Sequence, residues 1–114
     1  DLELIFESAL TFVIKDKYPV TDGHLLIIPK RHVGDYFELD DREKTSCWKM
    51  LDLAREYLCK SYNLYEFNIG VNIGKNAGQT INHVHIHLIP RRQGDMSNPE
   101  GGVRGVIPSK QKYR

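Results

Sequence analysis

The chain has little of what marks a membrane, secreted or nucleic-acid-binding protein. It contains only two cysteines in 114 residues and no CxxC pair. Its longest apolar stretch, residues 25–28, is far short of the about 18 residues that cross a bilayer, and its start lacks a signal-peptide pattern. Positive charge is not in excess, since 16 Lys and Arg face 15 Asp and Glu. We therefore expect a cytoplasmic protein with no membrane partner and no specific nucleic-acid binding.

Length and composition indicate one globular domain. Hydrophobic residues make up 40% of the chain and charged residues 27%, which is typical of a protein with a packed core. Charge is uneven along the chain, because residues 91–114 hold six basic and two acidic groups, a local charge of +4. We expect a domain core over residues 1–92, and a basic tail over 93–114 that packs on the same domain or extends it.

The two cysteines, Cys47 and Cys59, fall in one predicted helix. Twelve residues of helix separate two positions by about 18 Å. A disulfide needs Cα atoms within about 7 Å of each other, so we expect no bond between these thiols.

Hydrophobic periodicity predicts four strands and a helix. The segments 9–14, 24–29, 66–73 and 80–89 have the composition or the alternation of strands. Asp40 and Glu43 form a capping-box pattern, and apolar residues then recur at intervals of three and four, which predicts a helix over 41–61. Successive strands joined by tight turns predict an α+β domain with a mainly antiparallel sheet, one long helix and an irregular C-terminal tail.

Three histidines alternate with apolar residues in the segment 83–89. Alternate residues of a strand share a face, so His83, His85 and His87 point one way and Val84, Ile86 and Leu88 the other. Packing alone does not explain three rings on one face, because each ring has a donor and an acceptor that need partners. The segment is therefore the predicted functional site.

Two kinds of chemistry could use this row. Two of the histidines could bind a metal ion with an acidic residue from elsewhere, although no acidic residue follows in sequence before Asp95. The outer pair, about 13 Å apart in a strand, cannot share a tetrahedral ion. Alternatively, one neutral imidazole could attack a phosphorus atom while its neighbours fix its tautomer and bond phosphoryl oxygens.

The loop before the histidines favours an anionic substrate. Residues 74–80 contain two glycines, whose backbone N–H groups can approach an anion, together with amide and hydroxyl donors. A loop of this composition more often only turns the chain. Because this loop directly precedes the three histidines, we interpret it as part of the predicted site.

The pattern resembles the histidine triad (HIT) family of nucleotide hydrolases and transferases. Gly78-Gln79-Thr80 followed by His-x-His-x-His matches that family's signature, and residues 22–32 resemble its second-strand motif. The resemblance covers about residues 4–92. It implies a HIT-like fold, a homodimer, no cofactor, and cleavage at the α-phosphate of nucleoside phosphoramidates, dinucleoside polyphosphates or related conjugates through a nucleotidyl-histidine.

The resemblance also implies roles for individual residues. His85 would be the nucleophile, His87 would bond the phosphate or the leaving group, and His83 and His24 would orient His85. The implied substrate contacts are Asp16 to the ribose hydroxyls, Ile14 to the base, and Asn72, Gln79 and Thr80 to the nucleotide, its phosphate or the leaving group. No metal ligand is implied.

The tail suggests which members of that family the chain resembles most. Gly94-Asp95 and residues 101–108 resemble bacterial members described as dinucleoside polyphosphate hydrolases. A polyphosphate carries charge beyond the α-phosphate, and we expect Arg91, Arg92 and Arg104 to meet it. Two other functions stay open, namely a nucleotide sensor without useful turnover and a metal-dependent hydrolase.

Overall fold

Five strands and one long helix make up most of the fold. It was derived as a computed structural model that describes residues 3–113. The strands are Leu4–Glu7 (β1), Thr11–Lys15 (β2), Leu25–Pro29 (β3), Phe67–Val71 (β4) and Ile86–Pro90 (β5), and the helix is Asp41–Tyr62 (α1). Short 3₁₀ helices lie at Tyr36–Glu38, Lys75–Ala77, Gly102–Val106 and Pro108–Lys110. The predicted α+β class is confirmed.

The strands form one antiparallel sheet in the order β1-β2-β3-β5-β4. Its register sets Ile14, Leu26, His87 and Gly70 side by side across four strands. Residues opposite each other in a ladder point to the same face. His87 of β5 therefore shares its face with Ile14 of β2, although 73 positions separate the two in sequence.

Helix α1 covers the other face of the sheet. It begins at the predicted capping box, in which Asp40 accepts from the backbone N–H of Glu43 and the Glu43 carboxylate accepts from that of Asp40. The buried face of α1 packs on the sheet to form the core. The helix contributes Cys47, Met50, Leu51, Ala54 and Leu58, and the sheet side contributes Val13, Leu25, Ile27, Val84, Ile86 and Leu88. The predicted helix, 41–61, is confirmed and ends one residue later.

The predicted strand over 80–89 is wrong in its first half, because β5 begins at Ile86. Before Ile86 the backbone makes a single bond to its neighbour, from the N–H of Val84 to the carbonyl of Val33 at 2.8 Å, rather than a ladder. The alternation of faces nevertheless persists, with Val84 buried between the half-buried His83 and His85. The predicted strand 66–73 is also shorter, so that Asn72 lies just after β4.

Both cysteines lie on α1 as predicted and are free thiols. Cys47 is buried in the core and Cys59 is half-buried. Over residues 3–113, no helix has the length and apolarity that crossing a membrane requires.

The C-terminal segment is hydrogen-bonded onto itself. The Gln111 side chain donates to the carbonyls of Glu100 at 3.0 Å and Asn98 at 3.4 Å. The Arg104 guanidinium donates to the carbonyls of Lys110 and Gln111. Gly101 has a φ of +92° and lies so close to the Gln111 carbonyl that a side chain at this position has no room. The tail is irregular in secondary structure, as predicted, but it is folded.

Candidate active site

His85 lies immediately before β5, with its ring half-buried. Its Nδ1 is 2.9 Å from the backbone carbonyl oxygen of His83. A carbonyl can only accept, so Nδ1 carries the ring proton and donates it to this bond. Nε2 of the neutral ring then holds the lone pair, which is the form in which imidazole acts as a nucleophile.

The ring of His83 is held by the end of β3. Its Nε2 donates to the carbonyl of Pro29 at 2.7 Å, and His32 packs edge-on against it with ring centroids 5.0 Å apart. The resemblance implies that His83 orients His85. The structure shows a contact between the two residues, but it joins the backbone carbonyl of His83, and not its ring, to Nδ1 of His85.

His24 lies just before β3 and is 2% exposed. Its Nδ1 accepts the backbone N–H of Val20 at 3.0 Å, so its Nε2 carries the proton. That Nε2 is 2.9 Å from Nδ1 of His87 and 3.4 Å from the Asp16 carboxylate. The structure shows a contact of His24 with His87 in place of the expected one with His85. The register sets Leu26 opposite His87, and His24, two residues before Leu26, is therefore its diagonal neighbour on the same face.

His87 is the one triad histidine inside β5. Its Nδ1 accepts from His24, so its Nε2 carries the proton and is the donor that it can offer to a ligand. Its ring packs edge-on against that of His85, with centroids 5.1 Å apart. Burial lowers the pKa of both His24 and His87 below 6.5, and the Asp16 carboxylate opposes this only in part. Both rings are therefore neutral at pH 7.

Asp16, His24 and His87 form a group that could hold a metal ion. One ligand atom of each lies within 4.8 Å of the others, and two imidazoles with a carboxylate suit zinc. The acidic residue missing from the sequence-based metal hypothesis is therefore supplied by the turn after β2. In this structure the His24 Nε2 lies 2.9 Å from His87 Nδ1 and 3.4 Å from the Asp16 carboxylate.

A cavity of about 340 Å³, here called the His85 cavity, opens beside His83 and His85. Its walls are mostly apolar and come from β2, β3 and the segment before β5, and the turn after β2 lies at its rim. The lining residues include Phe12, Ile14, Leu26, Ile28, Ile81 and Asp16. Two of the predicted binding residues, Ile14 and Asp16, are thus brought together with two histidines.

A second opening of about 290 Å³, here called the His87 cleft, lies beside His24 and His87. Asn72, another predicted binding residue, lines it from the end of β4. Val103 and Val106 of the C-terminal 3₁₀ helix line its other side. The two openings lie on either side of the histidine row.

Gln79 and Thr80 line neither opening. The Gln79 carboxamide accepts from the N–H of Gly74 and donates to the carbonyls of Gly34 and Ile81. The Gln79 side chain thus closes the loop that carries it, and its implied phosphate contact stays a prediction. Thr80 is exposed beside it.

Two of the three arginines expected to meet phosphates are engaged elsewhere. Arg91 makes a two-pronged ion pair with Asp95 and also bonds Asn68. Arg104 binds backbone carbonyls of the tail and lies over the ring of Tyr113. Only Arg92 has a buried guanidinium nitrogen without a hydrogen-bond partner among the described residues. The local charge of +4 was therefore a poor guide to which side chains are free.

Sequence reasoning missed one contact of a predicted residue and three further contributors to the site. The carboxylate of the predicted Asp16 also reaches His24. His32 packs on His83, and Val103 and Val106 border His87. His32 stood in a motif without an assigned role. The valines lie in the segment 101–108, whose resemblance assigned them no individual role, and the path of the tail brings them to the His87 cleft.

Comparison with known proteins supports this architecture. The family model described as "HIT domain" matches residues 1–94. The nitrilase and fragile histidine triad fusion protein NitFhit of Caenorhabditis elegans is 39% identical over 85% of this chain and 22% of its own length. A bis(5'-adenosyl)-triphosphatase of Dictyostelium discoideum is 36% identical over 84% of this chain and 64% of its own. The chain thus spans less than two thirds of either relative.

Solved structures of histidine triad proteins are also similar to this chain. The NitFhit crystal structure matches 84% of this chain and 23% of its own with a TM-score of 0.80 and 38% identity. A zinc-bound histidine triad protein of Mycobacterium smegmatis matches 86% of this chain and 71% of its own, with a TM-score of 0.78 and 30% identity. With the family model covering residues 1–94, these likenesses show that the chain belongs to the HIT domain family, the histidine triad proteins.

Proposed function

We propose that the protein is a nucleotidyl hydrolase or transferase that cleaves nucleotide conjugates at the α-phosphate through a nucleotidyl-His85 intermediate. The observation that carries the proposal is the bond from His85 Nδ1 to the His83 carbonyl, which leaves Nε2 free to attack. The names of relatives support the reaction class. These relatives include an asymmetrical bis(5'-nucleosyl)-tetraphosphatase of Schizosaccharomyces pombe, which is 32% identical over 83% of this chain and 52% of its own length.

The reaction has two steps. In the first, Nε2 of His85 forms a bond to the α-phosphorus, the bond from phosphorus to the leaving group breaks, and the leaving group takes up one proton from solvent. In the second, water attacks the same phosphorus, which releases His85 and the nucleoside monophosphate and returns one proton. The Nε2–H of His87 donates a hydrogen bond to a phosphoryl oxygen or to the departing atom, where charge develops.

The nucleoside occupies the His85 cavity. A cavity of about 340 Å³ with mostly apolar walls is of the size and character that enclose a base and its ribose. Ile14 packs against the base, and the Asp16 carboxylate accepts from the ribose hydroxyls at the rim. Asn72 contacts the nucleotide from the His87 cleft. Gln79 acts by shaping its loop, and Thr80 offers an exposed hydroxyl to the phosphate.

The test uses adenosine 5'-phosphoramidate, whose leaving group is ammonia. Under single-turnover conditions with rapid quenching, the wild-type protein accumulates a species heavier by one adenylyl group. His85→Asn lowers the rate at least about 1,000-fold, because the residue that forms the bond to phosphorus is gone, and shows no adduct. Nucleotide still binds to this variant, since the ring contributes little of the binding energy.

Each alternative has its own outcome in this experiment. A variant rate above a few per cent of the wild-type rate excludes His85 as the nucleophile. Nucleotide binding without turnover by the wild-type protein indicates a sensor instead of an enzyme. The Asp16–His24–His87 group keeps a metal-dependent hydrolase as the second candidate, and activity that chelation abolishes and Zn²⁺ restores favours it.

We also propose that the protein forms a homodimer through the edge of β4. The sheet has two edge strands, β1 and β4. A bulge between Leu4 and Phe6 interrupts β1, and β1 carries the charged residue Glu7, which pairs with Lys30 after β3. A bulge and a charged residue both disfavour pairing of an edge strand with a further strand. β4 contains no charged residue and exposes Ile69. It is therefore the edge that suits pairing with a second copy.

A further inference from the structure

A long groove separates the β1–β2 hairpin from α1, on the side of the sheet that faces away from the histidine row. It consists of two adjoining cavities of about 590 and 490 Å³, both of which are lined by Ser8, Met50 and Leu53. We propose that this groove, here called the hairpin groove, binds an acidic amphipathic helix of a partner protein. It shares no lining residue with the His85 cavity or the His87 cleft, so the inference is independent of the proposed function.

The wall that α1 contributes has the spacing of a helix-packing surface. Its lining residues recur at intervals of three and four, which places them in one stripe along the helix. They are Arg42, Ser46, Lys49, Leu53, Glu56 and Lys60, with Asp41, Thr45, Met50 and Tyr57 beside them. Between its first and last lining residue, α1 extends for about 28 Å. A groove of this length and spacing suits a second helix packed along α1 better than a small metabolite.

The middle of the hairpin groove is apolar. Met50 and Leu53 of α1 face Phe6 and Leu10 of the hairpin across it. Leu53 is 50% exposed, so a partner that covers it removes apolar surface from water. An apolar centre with charged residues at both ends is the surface that an amphipathic helix binds through its apolar face.

Contacts between the hairpin and α1 hold the groove in shape. The Ser46 Oγ lies 2.6 Å from the Thr11 Oγ1 and 3.3 Å from the Ser8 Oγ. Further along the helix, the rings of Phe6 and Tyr57 meet edge-on with their centroids 6.4 Å apart. A partner therefore binds walls that are already in place, which lowers the ordering cost of association.

The charges at the C-terminal end of the hairpin groove are paired within the protein. Lys60 lies 3.6 Å from the Glu56 carboxylate, and Glu7 of β1 lies 2.6 Å from the ammonium of Lys30. This end therefore has no charge left to select the sign of a partner.

The other end of the groove is positive. Arg42 and Lys49 line it, and neither forms an ion pair with another of the residues 3–113. Asp41 lines it as well, so that two basic groups and one acidic group leave a net charge of +1. The dipole of α1 adds partial positive charge at the same end. The complementary helix has acidic residues beside its apolar face.

The experiment uses two synthetic helical peptides of about 18 residues, the length that spans the groove. Each has leucines at intervals of three and four; one has glutamates on both sides of them, and the other has lysines in the same places. Fluorescence anisotropy with the full chain measures both dissociation constants. We expect the acidic peptide to bind at least about 10-fold more tightly at low salt, with a smaller preference at high salt because exposed charges are screened.

Variants with matched controls test the two features of the groove. Leu53→Gln should weaken binding of the acidic peptide about 10-fold, whereas Ile107→Gln, at a similarly exposed position outside the groove, should not. Arg42→Glu and Lys49→Glu should each weaken it about 5-fold. Arg55→Glu is their control, because Arg55 is exposed on the same helix but lines neither cavity.

Several results would overturn the inference. They are no binding of the acidic peptide at about 1 mM protein, equal affinity for the basic peptide, and equal losses in a groove variant and its control. Displacement of the peptide by equimolar dodecanoate would assign the groove to a lipid-like anion instead. Backbone amide resonances of the wild-type protein supply a readout that needs no variant to fold. Their shifts on adding the acidic peptide should be confined to the groove, and shifts elsewhere alone would contradict it.

Discussion

The hydrogen-bond partners of the four site histidines decide which ring nitrogen carries each proton. Backbone groups fix three of the rings: the Pro29 carbonyl fixes His83, the His83 carbonyl fixes His85, and the Val20 N–H fixes His24. His24 in turn fixes His87. Backbone groups do not change their role with pH, so the row presents the bare Nε2 of His85 beside the Nε2–H of His87, and the Nδ1 of His83 is bare as well.

We therefore expect His24 to act as a positioning residue, whose removal affects kcat more than KM. His24→Phe fills the space but has no donor for His87 Nδ1, whereas His24→Gln keeps a donor close to the position of Nε2. We expect a loss in kcat of about 10- to 100-fold for phenylalanine and a smaller loss for glutamine. Steady-state kinetics and thermal melting measure this. Equal losses that follow the melting temperatures would show that His24 only fills the core.

At the scale of elements, the start of α1 depends on a buried carboxylate. Glu43 caps the helix and binds Arg31 of the loop after β3 through two hydrogen bonds of 2.8 and 2.9 Å. These bonds from Arg31, followed by that from the Asp40 N–H, lower the pKa of Glu43 from 4.5 to about 2. One side chain thus joins β3 to the helix that covers it.

Because its pKa is lower in the folded protein, Glu43 contributes stability fully above pH 4.5 and loses it as pH falls toward 2. Glu43→Gln keeps an oxygen for the cap but removes the charge. We expect it to lower the free energy of unfolding by about 1 kcal/mol at pH 7, since the Arg31 side chain is half exposed. Urea unfolding between pH 2 and 7 measures the difference between the two proteins. A difference that does not shrink below pH 4.5 would contradict the assignment.

At the scale of the whole molecule, the sheet has one face covered by α1 and one face that carries the site. The tail crosses toward that second face, where Val103 and Val106 meet the His87 cleft. The edge of β4 stays open beside them. The proposed dimer edge therefore lies beside this cleft, which residues of β4 also line.

If two copies pair through β4, Ile69→Lys should weaken the dimer at least about 10-fold. The change places a charge at the edge that pairing would bury, and like charges from both copies would meet there. Leu53→Lys is the matched control, because Leu53 is similarly exposed but lies on α1, near the β1 end of the sheet. Sedimentation equilibrium of both variants measures the association. A wild-type monomer at high protein concentration, or equal weakening by both changes, would contradict the β4 interface.

The sequence by itself determined the local elements and indicated a site built on a row of histidines. Helix α1 was predictable because its capping box and its apolar spacing lie within neighbouring residues, where local forces act. The alternation of His83, His85 and His87 was predictable for the same reason. The backbone pairing of residues 80–85 was not, since a ladder depends on the neighbouring strand as well as on the segment itself.

Only the tertiary structure decided which side chains meet. His24 and His87 are 63 positions apart, and Asp16 joins them from a turn; their contact depends on the register of β3 against β5. In the same way, Arg91 binds Asp95 and Asn68, and Arg104 binds backbone carbonyls, while Val103 and Val106 reach the His87 cleft. The type of a residue limits which hydrogen bonds and ion pairs its side chain can make. The path of the chain decides which partners are within reach, and a local pattern contains no information about that path.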